Sequence, residues 1–214
     1  MSFSFGPDLK SKLSANLERF DVRPIDDPEL RQAAVAIVVG PGEDNNGPSE
    51  DATILLTLRP RSIRRHSGQY ALPGGRLDNG ETTLTAALRE LDEELGLRLQ
   101  PSSVIGMLDD YPTRSGFRIT PVVAWLDSVP ELTPAPDEVY KVFRIPLGEL
   151  NSPDIPILSN PNGGEHPVLS MILPVLGHEI FAPTAAILFQ FREVALRGAR
   201  TRVAHYDQPG FAWK

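Results

Sequence analysis

Cysteine is absent from all 214 residues, so neither a disulfide framework nor a thiolate zinc site can form, and a reducing compartment is the expected setting. Long apolar runs are missing too. No stretch approaches the roughly 20 residues of a membrane-spanning helix, and the opening MSFSFGPDLK has no basic segment leading into an apolar one. A cytoplasmic protein without a membrane partner is therefore expected. Positive charge is scarce: 21 Lys and Arg face 28 Asp and Glu, a formal net charge of -7. Nucleic acids and anionic membranes are held mainly by basic surface, so neither is an expected partner. A small anionic ligand stays compatible if positive charge is local or supplied by a metal. No internal repeat is visible, and 41% hydrophobic residues suffice to bury one sizeable core, so a single domain over 1–214 is expected.

Periodicity then divides the chain. Leu9, Leu13, Leu17 and Phe20 recur at helical spacing and predict an amphipathic helix within 7–20. The apolar runs 33–40 and 52–58 predict two strands that can pair through a surface loop at 41–51. Runs 104–113 and 117–126 predict two more, joined near Arg114, Ser115 and Gly116, and 139–146 another. A short helical turn is expected at 146–150, a loop at 151–165, edge strands after 166 and 179, and a covering helix over 184–196. Nothing assigns a role to 197–214. His166, His178 and His205 stand alone in sequence and are expected to be ordinary surface or satisfied residues.

The stretch Gly75 to Leu97 is different in kind. Leu84, Leu88, Leu91 and Leu95 form one stripe of a predicted helix, while Glu90, Glu93 and Glu94 fall within an arc of about 100° on another face. Three carboxylates so close repel one another, and a hard divalent cation with oxygen ligands offsets that cost. A merely solvated acidic face is the simpler explanation. Gly96 is placed to end the helix in a left-handed cap. Just upstream, Arg59, Arg61, Arg64 and Arg65 cluster beside His66 and run into Pro73-Gly74-Gly75. Guanidinium groups match phosphate oxygens, and Gly74 and Gly75 let the backbone approach a ligand closely.

Gly75-x5-Glu81-x7-Arg89-Glu90-Leu91-x-Glu93-Glu94-x-Gly96-Leu97 resembles the Nudix box at every defining position. From ordinary residue usage an accidental match has odds on the order of one in ten million. Leu55-Leu56-Thr57-x-Arg59, Arg64, Gly68 and Pro73-Gly74-Gly75 also resemble the upstream signature of the coenzyme A pyrophosphatases of that superfamily. Pro60 and Leu72 depart from it, standing where a small residue and Phe are usual, and Ala182-Pro183 introduces the stretch 184–196 where that group usually has Gly-Leu.

The resemblance implies an α/β fold, a Nudix-type α/β/α sandwich around a mixed sheet. It implies a hydrolase using Mg2+ or Mn2+ on the diphosphate of a small nucleoside diphosphate substrate. Glu90, Glu93 and Glu94 would be metal ligands, Glu90 and Glu93 catalytic, and Arg59, Arg64, Gly74 and Gly75 substrate-binding. Glu81 and Arg89 would brace the site. The general base stays open among Glu93, Asp137 and Glu138. Coenzyme A or its acyl esters, cleaved to 3′,5′-ADP and 4′-phosphopantetheine, are the expected substrates. ADP-ribose or a nucleotide sugar is the alternative, and a binding protein without turnover is a third reading.

Overall fold

Strand β1 (Arg31–Asp44) runs through the middle of a mixed sheet, because its apolar residues are wanted on both sides. Ala34, Ala36 and Val38 turn to one face and Ile37 and Val39 to the other, each in a separate buried cluster. The structure is a computed structural model that describes residues 3–44, 47–60, 68–160, 163 and 165–210. The arginines at 61, 64 and 65, with His66, lie outside the described residues, so the expected phosphate contact of Arg64 does too.

β1 pairs antiparallel with β2 (Gly47–Leu58) and parallel with β7 (Phe117–Trp125), which makes the sheet mixed. Further strands are β3 (Tyr70–Ala71), β4 (Gly74–Arg76), β5 (Val104–Met107), β6 (Tyr111–Pro112) and β8 (Lys141–Pro146). Helix α2 (Thr83–Leu95) covers the face of Ala34, Ala36 and Val38. α1 (Pro7–Glu18) and α4 (Thr184–Phe191) belong to the cluster on the opposite face. This is the expected α/β/α sandwich. Leu9, Leu13, Leu17 and Phe20 are all buried, as their spacing predicts.

Several boundaries differ from the sequence expectation. The surface loop expected at 41–51 is mostly strand: β1 continues to Asp44 and β2 begins at Gly47, with a register shift between Pro41 and Gly42. Backbone pairing is indifferent to residue type, and the irregularity accommodates Pro41, which has no N–H to give the ladder. The run 104–113 is broken between β5 and β6 by Leu108 to Asp110, whose aspartates are buried. Within 151–165, expected as loop, β9 (Ile157–Ser159) pairs with β10 (Val168–Leu173), which also pairs with β11 (His178–Phe181). A four-residue helix, α3 (Leu147–Leu150), follows β8. The expected helix 184–196 is α-helical only to Phe191 and widens to a π turn over 192–196.

Asp109 and Asp110 carry structural work that sequence reading did not detect. Asp109 accepts from the Arg23 N–H and from the Gln190 amide, 2.8 Å each, and pairs with Arg202. Asp110 accepts from the Ile25 N–H at 2.8 Å and from the Thr120 hydroxyl. Together they fasten the connector after α1 and the segment after α4 to one point of the sheet. No helix among the described residues is long and apolar enough to cross a membrane.

Candidate active site

Strands β1 and β2 pair over Val39–Asp44 and then diverge, and the segment 70–76 fills the opening. Its first part, β3, pairs with Thr57 and Leu58 of β2; its second, β4, pairs with Ala33 to Val35 of β1. Only glycine fits where β4 begins. A Cβ on Gly74, whose φ is 152°, would lie 2.2 Å from the Ala34 carbonyl oxygen. One on Gly75 would lie 2.2 Å from Oε1 of Glu90. The glycines thus bring β4 directly against the carboxylates of α2.

Helix α2 is fixed at both ends. Thr82 and Thr85 form a reciprocal capping box at its start, and Gly96, at φ 67°, is the expected left-handed cap. Its buried face is made by Ala86, Ala87, Leu91, Glu94 and Leu95, while Leu84 and Leu88 are only half-buried. The four-leucine stripe is corrected accordingly: small alanines let the helix sit close on the sheet. The acidic face is corrected as well, because the three glutamates do not share one environment. Glu94 is 2% exposed, whereas the side chains of Glu90 and Glu93 are 13% and 56% exposed.

Arg89 organises the outer two. One terminal nitrogen, Nη1, donates to Glu90 Oε1 at 2.9 Å and to Glu93 Oε2 at 2.7 Å. Nε and Nη2 reach Glu81 at 3.0 and 3.1 Å, and Nη2 also donates to the Arg76 carbonyl at 2.9 Å. Glu81 in turn accepts from the Asp78 N–H at 2.9 Å, which closes the loop ahead of α2. These contacts hold the Glu81 carboxyl below its ordinary range and raise the guanidinium above its own.

Glu94 has much less support. Its Oε2 accepts from the Gly74 N–H at 3.3 Å, and burial pushes its pKa up to about 8 despite the opposing charge of Arg59. Glu90 is also raised, chiefly by burial. Among the described residues no group of three or more acids or histidines is arranged as a ready metal cage, since Glu90 and Glu93 converge on Arg89. The donor set nonetheless fits a hard divalent cation. Two largely buried carboxylates, Glu90 and Glu94, flank a glycine backbone, and Glu94 has little else to neutralise it. Glu138, exposed on the segment before β8, adds its negative charge to both; of the two downstream acids it is the one whose field acts there.

Two cavities meet at Arg59, Gln69 and Tyr70. One, of about 660 Å³, is lined further by Tyr140, His178 and Glu179. The other, of about 390 Å³, reaches Gly74, Gly75 and Arg76 and extends under Phe117 and α4. The Nε of Arg59 is buried with no hydrogen-bond partner among the described residues. Arg76 was missed by sequence reasoning: it is exposed at the pocket mouth, its guanidinium 5.0 Å from the Phe117 ring, where Arg31 also stacks at 4.0 Å. Arg76 follows Gly75 directly, which was the available signal. His178 lies 6.4 Å from Tyr70, and His166 and His205 are 6.3 Å apart, so the histidines are less isolated than their spacing suggested.

Residues 30–163 match the NUDIX domain family. The uncharacterized Nudix hydrolase NudL of Klebsiella pneumoniae is 42% identical over 97 residues, 45% of this chain and 50% of that protein. Nudix hydrolase 3 of Caenorhabditis elegans is 33% identical over 157 residues, 68% of this chain and 62% of the relative. The chain therefore spans about half the length of the NudL relative and under two thirds of the nematode one. A solved MutT/nudix family protein from Enterococcus faecalis aligns over 83% of this chain and 64% of its own, at 17% identity and a TM-score of 0.47.

Proposed function

Because the chain belongs to the Nudix family, we propose that it works as one domain over 1–214, a divalent-metal-dependent hydrolase cleaving the diphosphate of coenzyme A or its acyl esters to 3′,5′-ADP and 4′-phosphopantetheine. One observation carries the hydrolytic part. The buried Glu94 carboxylate, with a single 3.3 Å backbone donor, sits beside Glu90 against two glycines at the edge of a pocket that also contains Arg59. Glu90 and Glu94, with Glu93, would hold Mg2+ or Mn2+; when bound, the metal would neutralise phosphoanhydride charge and acidify a water. Arg59 adds fixed positive charge for the phosphates, and Gly74 and Gly75 keep side chains out of their way. Arg89 positions Glu90 and Glu93, and Glu81 positions Arg89. Proton removal from the attacking water falls to Glu93 or Glu138, the exposed acids beside the pair. A chain without cysteine is compatible with the reducing cytoplasm.

Coenzyme A is favoured by the upstream signature ending at Pro73-Gly74-Gly75 and by two cavities joined at Arg59, which suit a diphosphate with two large arms. The test is a panel of coenzyme A, an acyl ester, dephospho-coenzyme A, ADP-ribose and a nucleotide sugar with Mg2+, products separated by chromatography. Coenzyme A should be cleaved, and dephospho-coenzyme A should be the poorer substrate if arginines read the 3′-phosphate. Consumption of ADP-ribose alone would replace this reading with that of another nucleoside diphosphate hydrolase.

A further inference from the structure

The smaller cavity lies on the face of the sheet opposite α2, floored by Ala33, Val35, Phe117 and Ile119 and walled by Ile187 of α4. Its length can be read from the strand register. Gly74 pairs with Val35, and Phe117 pairs with Arg31, four residues earlier on the same strand. At about 3.3 Å per residue these rows lie about 13 Å apart. Beyond the Phe117 row is the turn 113–116, where the Thr113 hydroxyl, bonded to the Phe117 N–H and carbonyl at 2.9 and 3.2 Å, holds the Ser115 hydroxyl in place at 3.0 Å. The same cavity also touches Gln208, a buried side chain whose amide reaches the Pro112 carbonyl at 3.4 Å and the Tyr111 hydroxyl. The slot thus has cations and bare backbone at one end, an aliphatic middle, and two hydroxyls and an amide at the other.

We propose that this slot takes the pantetheine arm of the substrate, with Ser115 and Gln208 reading its amide groups; the proposal rests on the coenzyme A reading above. The arm has the matching sequence of features: a phosphate, an aliphatic gem-dimethyl section, then two amides that need both donors and acceptors. A nucleoside fits poorly there. At about 390 Å³ the slot is near the small end of the roughly 300–1,000 Å³ of ligand pockets; of its two large rings, Phe117 already carries two guanidiniums and Tyr70 stands at the junction with the other cavity. The neighbouring 660 Å³ cavity instead offers Tyr70, Tyr140 and His178 for a purine to stack on. Both cavities meet at Arg59, where the diphosphate joining the arms belongs. Ile187 and Gln208 come from outside residues 30–163, so one wall of the slot is not part of the segment matched to the family.

The experiment measures binding of 4′-phosphopantetheine and of 3′,5′-ADP, each alone with Mg2+, by calorimetry to the wild type, Ser115→Phe and Gln208→Leu. Ser115→Phe fills the slot, and Gln208→Leu removes the amide at nearly constant volume. Ser115→Phe should weaken 4′-phosphopantetheine at least ten-fold and Gln208→Leu about five-fold, with 3′,5′-ADP unchanged within two-fold in both; that unchanged constant also reports an intact fold. Weakening of 3′,5′-ADP instead, or no change in either probe, while the wild type still cleaves coenzyme A, would overturn the slot assignment alone. A wild type that neither cleaves coenzyme A nor binds 4′-phosphopantetheine overturns both.

Discussion

Gly74 and Gly75 are adjacent, yet alanine should fail at each for a different reason. At Gly75 the new Cβ would stand 2.2 Å from Glu90 Oε1 and 2.5 Å from its Cδ, where ordinary contact begins at 3.4 Å. The obstacle is the end of a flexible side chain, so Glu90 can retreat by rather more than 1 Å and the fold survives. Retreat costs its 2.9 Å bond to Arg89, a charged hydrogen bond of a class worth about 1.5–3 kcal/mol, less here because Arg89 is partly exposed. A displacement of about 1 Å in catalytic machinery costs on the order of 100-fold in rate. Gly75→Ala should therefore lower kcat with coenzyme A at saturating Mg2+ by about two orders of magnitude while Tm falls little. At Gly74 the obstacle is backbone, the Ala34 oxygen at 2.2 Å and the Val35 Cα at 2.7 Å, and φ is one that a side chain rarely adopts. Nothing there can swing aside. Gly74→Ala should lose about 1–3 kcal/mol of stability or more, by the usual scale of overpacking. Thermal melts and steady-state kinetics on both variants decide the matter. Near wild-type turnover in Gly75→Ala, or a loss of stability there equal to that of Gly74→Ala, would refute the reasoning.

Glu94→Gln should reduce turnover by orders of magnitude, yet the metal-free protein should melt no lower than wild type, because a carboxyl that burial penalises becomes a neutral amide of nearly the same shape; a large drop in Tm would assign Glu94 a structural role instead. Arg59→Ala should raise KM about ten-fold or more, the worth of one charged hydrogen bond to phosphate, with Arg59→Lys rescuing part of it; unchanged KM in both returns Arg59 to surface charge. Arg89→Lys should lose most activity despite keeping its charge, since a single ammonium cannot span Glu81, Glu90, Glu93 and the Arg76 carbonyl at once; kcat near wild type would show that the fork is dispensable. Arg114 holds the Asp207 carboxyl below its ordinary value of 3.8, so the pair stabilises the fold fully above that pH and progressively less as pH falls through the lower folded value. The gap in stability between wild type and Asp207→Asn should therefore be flat from pH 5 to 7 and close in acid, with a size of about 0.2–1 kcal/mol for so exposed a pair; a gap that widens below pH 3.8 contradicts this assignment.

What could be read from the chain was whatever one element carries in consecutive residues. The Glu90, Glu93 and Glu94 spacing, the Gly96 cap and the amphipathic α1 are local, and local periodicity is how side chains acquire a common direction. Burial is not local. Nothing in the spacing says that Glu94 is covered and Glu93 is not, because that depends on Gly74 arriving from β4, and β4 depends on where β1 and β2 diverge. The two-faced β1 was legible as an apolar run, but its parallel pairing with β7, across 86 residues from Arg31 to Phe117, was not. Short strands suffered most: β9 looks like loop because Asn and Pro surround it, and pairing with β10 makes it a strand.

The same distinction explains why the metal face announced itself and the slot did not. A cation needs several oxygens within a few ångströms, and a helix can supply them within one turn, so that chemistry leaves a compact signature. An extended arm needs weak contacts spread over about 13 Å, and no single element provides them at that length. The slot accordingly draws Gly74 and Arg76 from β4, Ser115 from a turn, Ile187 from α4 and Gln208 from the last described residues. Asp109 and Asp110 have their place in this arrangement. By fastening the chain before β1 and the chain after α4 to the same edge of the sheet, they hold α4 and the segment carrying Gln208 over a floor built far earlier in the chain. A polar substitution there, such as Asp109→Asn, removes no atom from the slot. It weakens the tie to Arg202, and should loosen the arm-binding wall while leaving the Glu90 and Glu94 pair, anchored on α2, where it is.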